Sequence, residues 1–149
     1  RMAGEWGHTP LPWPTDHEAA VARPCWCGRT GCIEAWLSGP AFEADHAART
    51  GETLSASEIG HRAAAADPEA AASLERYIDR LGRGLAGVVD LLDPEVIVLG
   101  GGVSNLDALY ERLPAAIAPH LFGDAFSTPI RKAGHGDSSG VRGAAWLGR

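Results

Sequence analysis

The longest regular pattern in the chain runs from residue 68 to residue 92, where apolar side chains recur at three- and four-residue steps. These positions are Leu74, Ile78, Leu81, Leu85, Val88, Val89 and Leu92. The spacing predicts one long helix with a continuous apolar face, which should be a central packing element. Asp67 can cap this helix before Pro68, and the Asp93-Pro94 pair should end it.

Three glycines fall within this predicted helix, at positions 82, 84 and 87. Each lowers the helix propensity by about 1 kcal/mol relative to alanine. Their presence in the longest helix predicts that a neighbouring element packs closely against it and compensates for that cost.

A near-continuous apolar run follows the long helix. Residues 95–99, Glu-Val-Ile-Val-Leu, have the pattern of a strand that is covered on both faces. Residues 127–133 suggest a second strand, and Ser104 or Asn105 can cap a helix between the two. A final helix is predicted over residues 138–147. This alternation of helices and strands predicts an α/β layered sandwich.

The first 32 residues are rich in Pro, Gly and Trp. The prolines at positions 10, 12, 14 and 24 each remove a backbone donor and disfavour helix in the preceding residue. We therefore predict a strand-like entry followed by a long loop.

A helical pattern begins at Ile33 and is interrupted where a proline follows Ser38 and Gly39. Either of these two residues can cap a second helix, which should stop near Gly51. A shorter helix is predicted after Ser55, because a glutamate three residues later gives the spacing of a capping box.

The composition is typical of a soluble globular chain. Apolar residues make up 45% and charged residues 21% of the sequence, and no apolar run approaches the ~20 residues that cross a bilayer, so we expect no membrane partner. The net charge of -6 argues against a nucleic-acid partner, because such proteins usually carry a basic stripe. No charged and apolar leader begins the sequence, and the expected location is therefore the cytoplasm.

Three cysteines lie within eight residues, at Cys25, Cys27 and Cys32. Their odd count differs from the even framework of secreted disulfide proteins. The C-x-C-x4-C spacing indicates a structural zinc site, which requires a fourth ligand. His8 and His17 are both available, and spacing does not choose between them. A disulfide and unpaired core cysteines are the alternative interpretations.

Two segments together resemble the ROK family of sugar kinases. They are Gly4-Glu5-Trp6-Gly7-His8 and residues 25–34, Cys-Trp-Cys-Gly-Arg-Thr-Gly-Cys-Ile-Glu. Residues 9–13, Thr-Pro-Leu-Pro-Trp, and residues 134–147 are similar to the fructokinase branch of that family. The resemblance implies the C-terminal lobe of an actin-like, ribonuclease-H-like kinase, with α/β/α layers and a zinc-binding loop.

The resemblance also implies site residues. In that family the histidine of the first segment is the fourth zinc ligand, which corresponds to His8 and leaves His17 as a solvated loop residue. The family holds its sugar with residues that correspond to Glu5, His8 and Glu34. Carboxylates suit this task because each can accept several hydroxyl hydrogen bonds.

Gly100-Gly101-Gly102 directly follows the predicted strand. The segment matches neither G-x-G-x-x-G nor the Walker pattern, so the residues alone leave nucleotide contact and a tight strand-to-helix turn equally open. The resemblance assigns these three glycines to the adenosine side of ATP.

Residues 135–140, His-Gly-Asp-Ser-Ser-Gly, contain the residue types of a catalytic triad. A simpler interpretation is favoured, in which Asp137 or Ser138 caps the final helix and no nucleophile is present.

The resemblance divides the chain into a sugar and zinc segment, residues 1–36, and a helical and nucleotide-binding α/β part, residues 37–149. It implies that an N-terminal lobe is missing, with the catalytic aspartate of an Asn-Asp pair and a phosphate-binding Asp-Gly-Gly-Thr turn. None of the nine aspartates present is assigned as the catalytic base. Loss of a lobe predicts an exposed sheet edge or apolar patch, and the family's habit of forming dimers implies a homodimer.

The expected function is ATP- and Mg-dependent phosphorylation of a hexose, with fructose converted to fructose 6-phosphate. We expect the 149-residue chain to be inactive on its own. One alternative is the sugar-sensing domain of a ROK-type transcriptional repressor. Another is an isolated zinc-stabilised module without a ligand.

Overall fold

The computed structural model describes residues 4–123, 125–135 and 139–147. The helices are α1 (Asp16–Val21), α2 (Glu34–Leu37), α3 (Gly39–Thr50), α4 (Ala56–Ala64), α5 (Pro68–Leu92), α6 (Ala108–Ile117) and α7 (Ser139–Leu147). The strands are β1 (Ile97–Leu99) and β2 (Ile130–Lys132), and short 3₁₀ turns cover Trp6–His8, Gly102–Asn105 and Ala118–His120.

The central element is α5, as its periodicity predicts. The Asp67 carboxylate accepts hydrogen bonds from the backbone N–H groups of Glu69 and Ala70, and Pro68 occupies the first turn. Asp93 ends the helix in a left-handed conformation. The buried face of α5 packs with residues from α3, α4 and α6 and with one residue from each strand in a single apolar core, whose largest members are Phe42, Ile59, Leu74, Tyr77, Ile78, Leu81, Leu85, Ile97, Leu109, Leu113, Ile117 and Ile130.

Close packing explains two of the three glycines in α5. A Cβ atom at Gly82 would lie 2.6 Å from the Ala116 carbonyl oxygen, and one at Gly84 would lie 2.8 Å from the Trp6 ring. A Cβ atom at Gly87 would meet nothing within 4 Å. The predicted close approach is therefore confirmed at Gly82 and Gly84 and wrong at Gly87.

We expect Gly82→Ala to destabilise the chain and Gly87→Ala to stabilise it. The clash with a backbone atom at position 82 should cost about 1–3 kcal/mol, whereas the open site at position 87 should gain about 0.5–1 kcal/mol of helix propensity. Urea denaturation of the two variants measures the difference in the free energy of unfolding. Shifts of the same sign in both variants would contradict this packing account.

The N-terminal segment differs from the predicted strand-like entry and long loop. Residues Trp6–His8 form a 3₁₀ turn, and α1 lies inside the predicted loop. The Thr15 hydroxyl accepts from the Glu18 N–H at 3.3 Å, while the Glu18 carboxylate accepts from the Thr15 N–H at 2.9 Å. This reciprocal capping box starts a helix directly after Pro14, despite the surrounding prolines.

The predicted helices that begin after Ser38 and Ser55 are confirmed. The Ser38 hydroxyl accepts from the Ala41 N–H at 3.3 Å, and the Ser55 hydroxyl accepts from the Glu58 N–H at 3.2 Å. Gly51 ends α3 with a φ of 78°, in the left-handed region that glycine adopts without strain.

The two strands pair in parallel, with Ile97 opposite Ile130 and Leu99 opposite Lys132. Ile97 and Ile130 enter the core, but Val98 is 58% exposed. The prediction of a strand covered on both faces is therefore wrong for the described part of the chain. The helices of the core cover one face only, so the described residues form a mixed α/β fold without a third layer.

Large apolar side chains remain exposed at the surface. Leu91 is 84% exposed and Phe122 is 99% exposed. Together with the open face at Val98, they agree with the predicted exposed apolar surface.

The helix between the strands starts later than predicted. Ser104 lies in the 3₁₀ turn, where its hydroxyl donates to the Gly101 carbonyl at 2.7 Å, and α6 begins only at Ala108. Neither Ser104 nor Asn105 is its cap, because Asp107 holds the N-cap position without a side-chain hydrogen bond. Helix α7 is present, but its predicted cap, Asp137 or Ser138, lies outside the described residues.

Candidate functional site

The segment around His8 and the cysteine segment are joined by a short antiparallel contact. The Leu11 N–H donates to the Gly31 carbonyl at 2.9 Å, and the Ile33 N–H donates to the Thr9 carbonyl at 2.9 Å. These bonds place His8 beside the cysteines that precede α2.

Two glycines allow the cysteine segment to turn around one centre. Gly28 has a φ of 86° and Gly31 has a φ of 72°, both in the left-handed region. Across the first of these glycines, the Cys25 N–H donates to the Arg29 carbonyl at 2.8 Å. The tight turn directs the three thiols toward the same space.

The three thiols and His8 form one cluster. Their ligand atoms, Nδ1 or Nε2 of His8 and Sγ of Cys25, Cys27 and Cys32, all lie within 4.8 Å of one another. Cys25 Sγ is 3.5 Å from His8 Nδ1, and Cys27 Sγ is 3.7 Å from Cys32 Sγ. Tetrahedral zinc with Zn–S bonds of about 2.3 Å separates two sulfurs by about 3.8 Å. The donor set and its spacing therefore fit a closed structural zinc site.

His17 lies apart from this cluster. It is an exposed residue on α1, whereas His8 has a side chain that is only 13% exposed. Of the two histidines that the sequence left open, His8 is the one that the described structure brings to the thiols.

The environment of the thiols differs from one to the next. Burial raises the pKa of Cys32 to about 11. A hydrogen bond from the Arg29 backbone lowers the pKa of Cys27. Because zinc binds thiolates, a metal ion here would have to displace protons, most strongly at Cys32.

Two carboxylates approach the other side of the His8 ring. His8 Nε2 lies 3.4 Å from Glu34 Oε2 and 3.9 Å from Glu5 Oε2. The ring therefore directs Nδ1 toward the thiols and Nε2 toward the two glutamates. A histidine that binds metal through one nitrogen usually donates its other N–H to such a carboxylate, which fixes the ring orientation.

Trp26 is a member of this site that the sequence did not indicate. Its indole Nε1–H donates to Glu34 Oε1 at 2.8 Å, and its ring meets the His8 ring edge-on at a centroid distance of 4.7 Å. Position 26 lies between two cysteines and is not specified by the motif, so no residue pattern indicates a role for Trp26.

A buried group of ion-paired side chains holds the segments that carry the site against α5. Arg83 donates to both oxygens of Glu18 at 3.0 Å, and its other nitrogen donates to the carbonyls of Pro12 and Trp13 at 3.0 and 2.7 Å. Arg80 donates to Glu18 at 2.6 Å. These bonds fasten α1 and the proline-rich loop to α5, and they hold Trp13 in a left-handed conformation with a φ of 44°.

The same group continues to α3. Asp45 pairs with Arg23 at 2.7 Å and with Arg80 at 3.1 Å, and the guanidinium groups of both arginines stack on the Trp36 ring. The Arg23 carbonyl accepts from the Gly31 N–H at 2.8 Å, inside the cysteine turn. The buried charges are thus connected directly to the backbone of the cysteine turn.

The three glycines after β1 form a separate exposed turn. Gly101 has a φ of 84°, and Cβ atoms at Gly101 and Gly102 would meet nothing within 4 Å. Gly102 lines a cavity of about 750 Å³ between α4 and α6, together with Gly60, His61 and Asn105. Ligands of α/β proteins commonly bind at the carboxyl ends of parallel strands, which is where this turn lies.

Comparison with known proteins identifies the family. The ROK family model matches residues 1–149. The chain belongs to the ROK family. An N-acetyl-D-glucosamine kinase of Photobacterium profundum is 44% identical over 149 residues, which is 98% of this chain and 49% of the relative. The chain thus spans about half the length of the curated relatives it matches.

Solved ROK structures agree with the fold. A ROK family glucokinase from Streptomyces griseus, in complex with glucose and AMPPNP, matches 98% of this chain and 51% of its own, with 26% identity and a TM-score of 0.81. A ROK family transcriptional regulator, a homologue of the E. coli MLC protein, matches 85% of this chain and 33% of its own, with 25% identity and a TM-score of 0.65.

Within this ROK chain, the residues predicted from the sequence fall into two groups. Glu5, His8, Glu34 and the three cysteines meet in one place, whereas residues 100–102 form the turn described above. The described part of the chain contains no helix with the length and apolar character of a membrane span.

Proposed function

We propose that the protein carrying this chain is an ATP-dependent hexose kinase. The observation that supports this best is the arrangement around His8, with three thiols at Nδ1 and two glutamates at Nε2. In this proposal Cys25, Cys27, Cys32 and His8 hold a structural zinc ion. A zinc ion bound there would fix the orientation of the His8 ring, and the ring with Glu5 and Glu34 would form the sugar-binding surface.

The glycine turn is the proposed nucleotide surface. Residues 100–102 present exposed backbone without side chains, so an adenosine group could approach closely. Mg-bound ATP would supply the phosphoryl group, and this chain's part would be to hold the sugar and the adenosine side in place. The chain would be one lobe of the enzyme, with residues 1–36 as its sugar and zinc segment and residues 37–149 as its helical and nucleotide-binding part. The proposal also includes a homodimer, for which the exposed apolar side chains offer contact area.

N-acetyl-D-glucosamine is the sugar to test first. The 44% identical relative is named for that sugar, and the resemblance to fructokinases makes fructose the second candidate. Both sugars offer several hydroxyl donors to the two carboxylates.

We expect the complete protein to release ADP from Mg–ATP in the presence of one of these sugars, and the 149-residue chain alone to release none. The family's catalytic aspartate and its first phosphate-binding turn do not match any segment of this chain. A coupled assay of ADP release measures both samples under the same conditions. Clear sugar-dependent turnover by the chain alone would contradict the assignment of the catalytic base to another segment.

A second candidate function is sugar sensing in a transcriptional repressor. The similarity to a ROK family transcriptional regulator favours it, because 85% of this chain matches a third of that protein. Glu5, His8 and Glu34 would then bind an inducer sugar. The coding sequence before Arg1 distinguishes the two, since an Asn-Asp pair supports the kinase and a helix-turn-helix supports the repressor. A zinc-stabilised module without a ligand would bind metal but no sugar.

A further inference from the structure

We propose that Trp26 is a positioning residue that holds the Glu34 carboxylate ready to accept sugar hydroxyls. The inference rests on the proposed sugar-binding role of Glu34 and adds to it a residue that the family motif does not specify. It concerns how the carboxylate is oriented before any sugar arrives.

Two different side chains approach the two oxygens of Glu34. The Trp26 indole N–H donates to Oε1 at 2.8 Å, and His8 Nε2 lies 3.4 Å from Oε2. The Glu34 side chain is 38% exposed, so without these partners it would lose more rotamer freedom when a ligand binds. Trp26 therefore reduces the entropy that sugar binding must overcome.

The two contacts leave acceptor capacity on the carboxylate. An ionised carboxylate has about four lone-pair sites. The Trp26 N–H takes one of these sites on Oε1, and His8 Nε2 lies beside Oε2. At least one site then remains on each oxygen, which suits two hydroxyl donors from one sugar.

The exposure of Trp26 points away from a packing role. The Trp26 side chain is 79% exposed, whereas Trp36 in the next helix is 1% exposed and packed in the core. The polar contact with Glu34 and the ring contact with His8 therefore account for its orientation better than buried area does.

The experiment uses the complete protein and compares Trp26→Phe with Trp146→Phe. Phenylalanine keeps a ring beside His8 but has no N–H, and Trp146 is a similarly exposed tryptophan, at 76%, on α7. Calorimetry with N-acetyl-D-glucosamine and with fructose should show sugar affinity about tenfold weaker in Trp26→Phe. The affinity of Trp146→Phe and the zinc content of both variants should not change. In turnover assays, KM should rise with kcat nearly constant.

A second measurement tests the route through Glu34. In a ¹H–¹⁵N spectrum, the indole signal that disappears in Trp26→Phe should shift in Glu34→Gln, even without sugar. Any one of three results would overturn the proposal. The first is an unchanged sugar affinity in Trp26→Phe, and the second is loss of zinc from that variant. The third is an indole signal that does not shift in Glu34→Gln. If the unmodified protein binds no hexose, the proposed function fails together with this inference. If the unmodified protein and Trp26→Phe bind the sugar equally well, only the inference about Trp26 fails.

Discussion

Replacing Cys27 with serine is expected to remove zinc from the protein and to disorder the segment from His8 to Glu34. Cys27 is one of the four converging side chains that we propose as zinc ligands, and a serine hydroxyl does not replace a thiolate in a structural site. Structural zinc binding is worth about 10–16 kcal/mol, which is comparable with the ~5–15 kcal/mol that stabilises a whole domain. Metal analysis after dialysis against a chelator should find about one zinc ion per unmodified chain and almost none in Cys27→Ser.

His17→Ala is the matched control for this prediction. His17 was the alternative ligand from spacing alone, and it lies exposed on α1, outside the cluster. The variant should keep its zinc. Full zinc content in Cys27→Ser, or loss of zinc in His17→Ala, would show that the ligand set is different.

The metal should also be lost as the pH falls. Burial raises the pKa of Cys32 to about 11, so in the metal-free protein this thiol is protonated at neutral pH. Zinc must displace that proton, and a higher proton concentration opposes it. The zinc affinity measured at successive pH values should therefore decrease toward acid.

Local structure was predictable where the controlling interactions are close in sequence. The boundaries of α5 follow from Asp67, Pro68 and Asp93, and the starts of α3 and α4 follow from serine caps. These interactions span three or four residues, so they can be recognised without knowing the fold. The capping box that begins α1 is also formed by residues close in sequence, but the neighbouring prolines favoured the prediction of a loop there.

Long-range structure was less predictable. The apolar run at residues 95–99 suggested burial on both sides, yet a sequence does not state how many layers surround its strand. Asp45 occurs in an ordinary helical pattern, and its contact with Arg80 joins residues 35 positions apart. Pairs of this kind depend on how α3 and α5 cross, which no local pattern encodes.

The candidate site was partly predictable for a similar reason. The cysteine spacing indicated a metal, whereas the choice of His8 came from family resemblance and agrees with the geometry of the cluster. The contact between Trp26 and Glu34 could not be foreseen, because it depends on the turn between Gly28 and Gly31 that reverses the chain.

The second large effect is expected from Glu18→Gln, which should lower the free energy of unfolding by about 3–5 kcal/mol. Glu18 is 6% exposed and accepts hydrogen bonds from Arg80 and Arg83, which are themselves 2% and 3% exposed. Neutralising it removes the carboxylate that two buried guanidinium groups share, and leaves Arg80 with Asp45 and Arg83 with Asp79 as their remaining charged partners. Urea denaturation measures the loss as a lower midpoint with an unchanged slope.

Glu58→Gln is the matched control, because it makes the same substitution in a solvent-exposed pair. Glu58 and Arg62 are 3.3 Å apart, with side chains that are 49% and 38% exposed. Such pairs contribute only about 0–1 kcal/mol. Similar losses in the two variants would show that burial of the Glu18 pair has no special importance.

The buried contacts of Glu18 should also make the free energy of unfolding depend on pH in the acid range. Burial alone would raise the pKa of Glu18, but the hydrogen bond from Arg80 and the charge of Arg83 outweigh it and lower the pKa. A carboxylate with a lowered pKa stabilises the folded state above its unfolded value of about 4.3 and loses this effect as the pH falls through the folded value. The stability difference between the unmodified chain and Glu18→Gln should therefore shrink below about pH 4. A difference that stays constant down to pH 2 would mean that Glu18 stabilises the fold through shape rather than through charge.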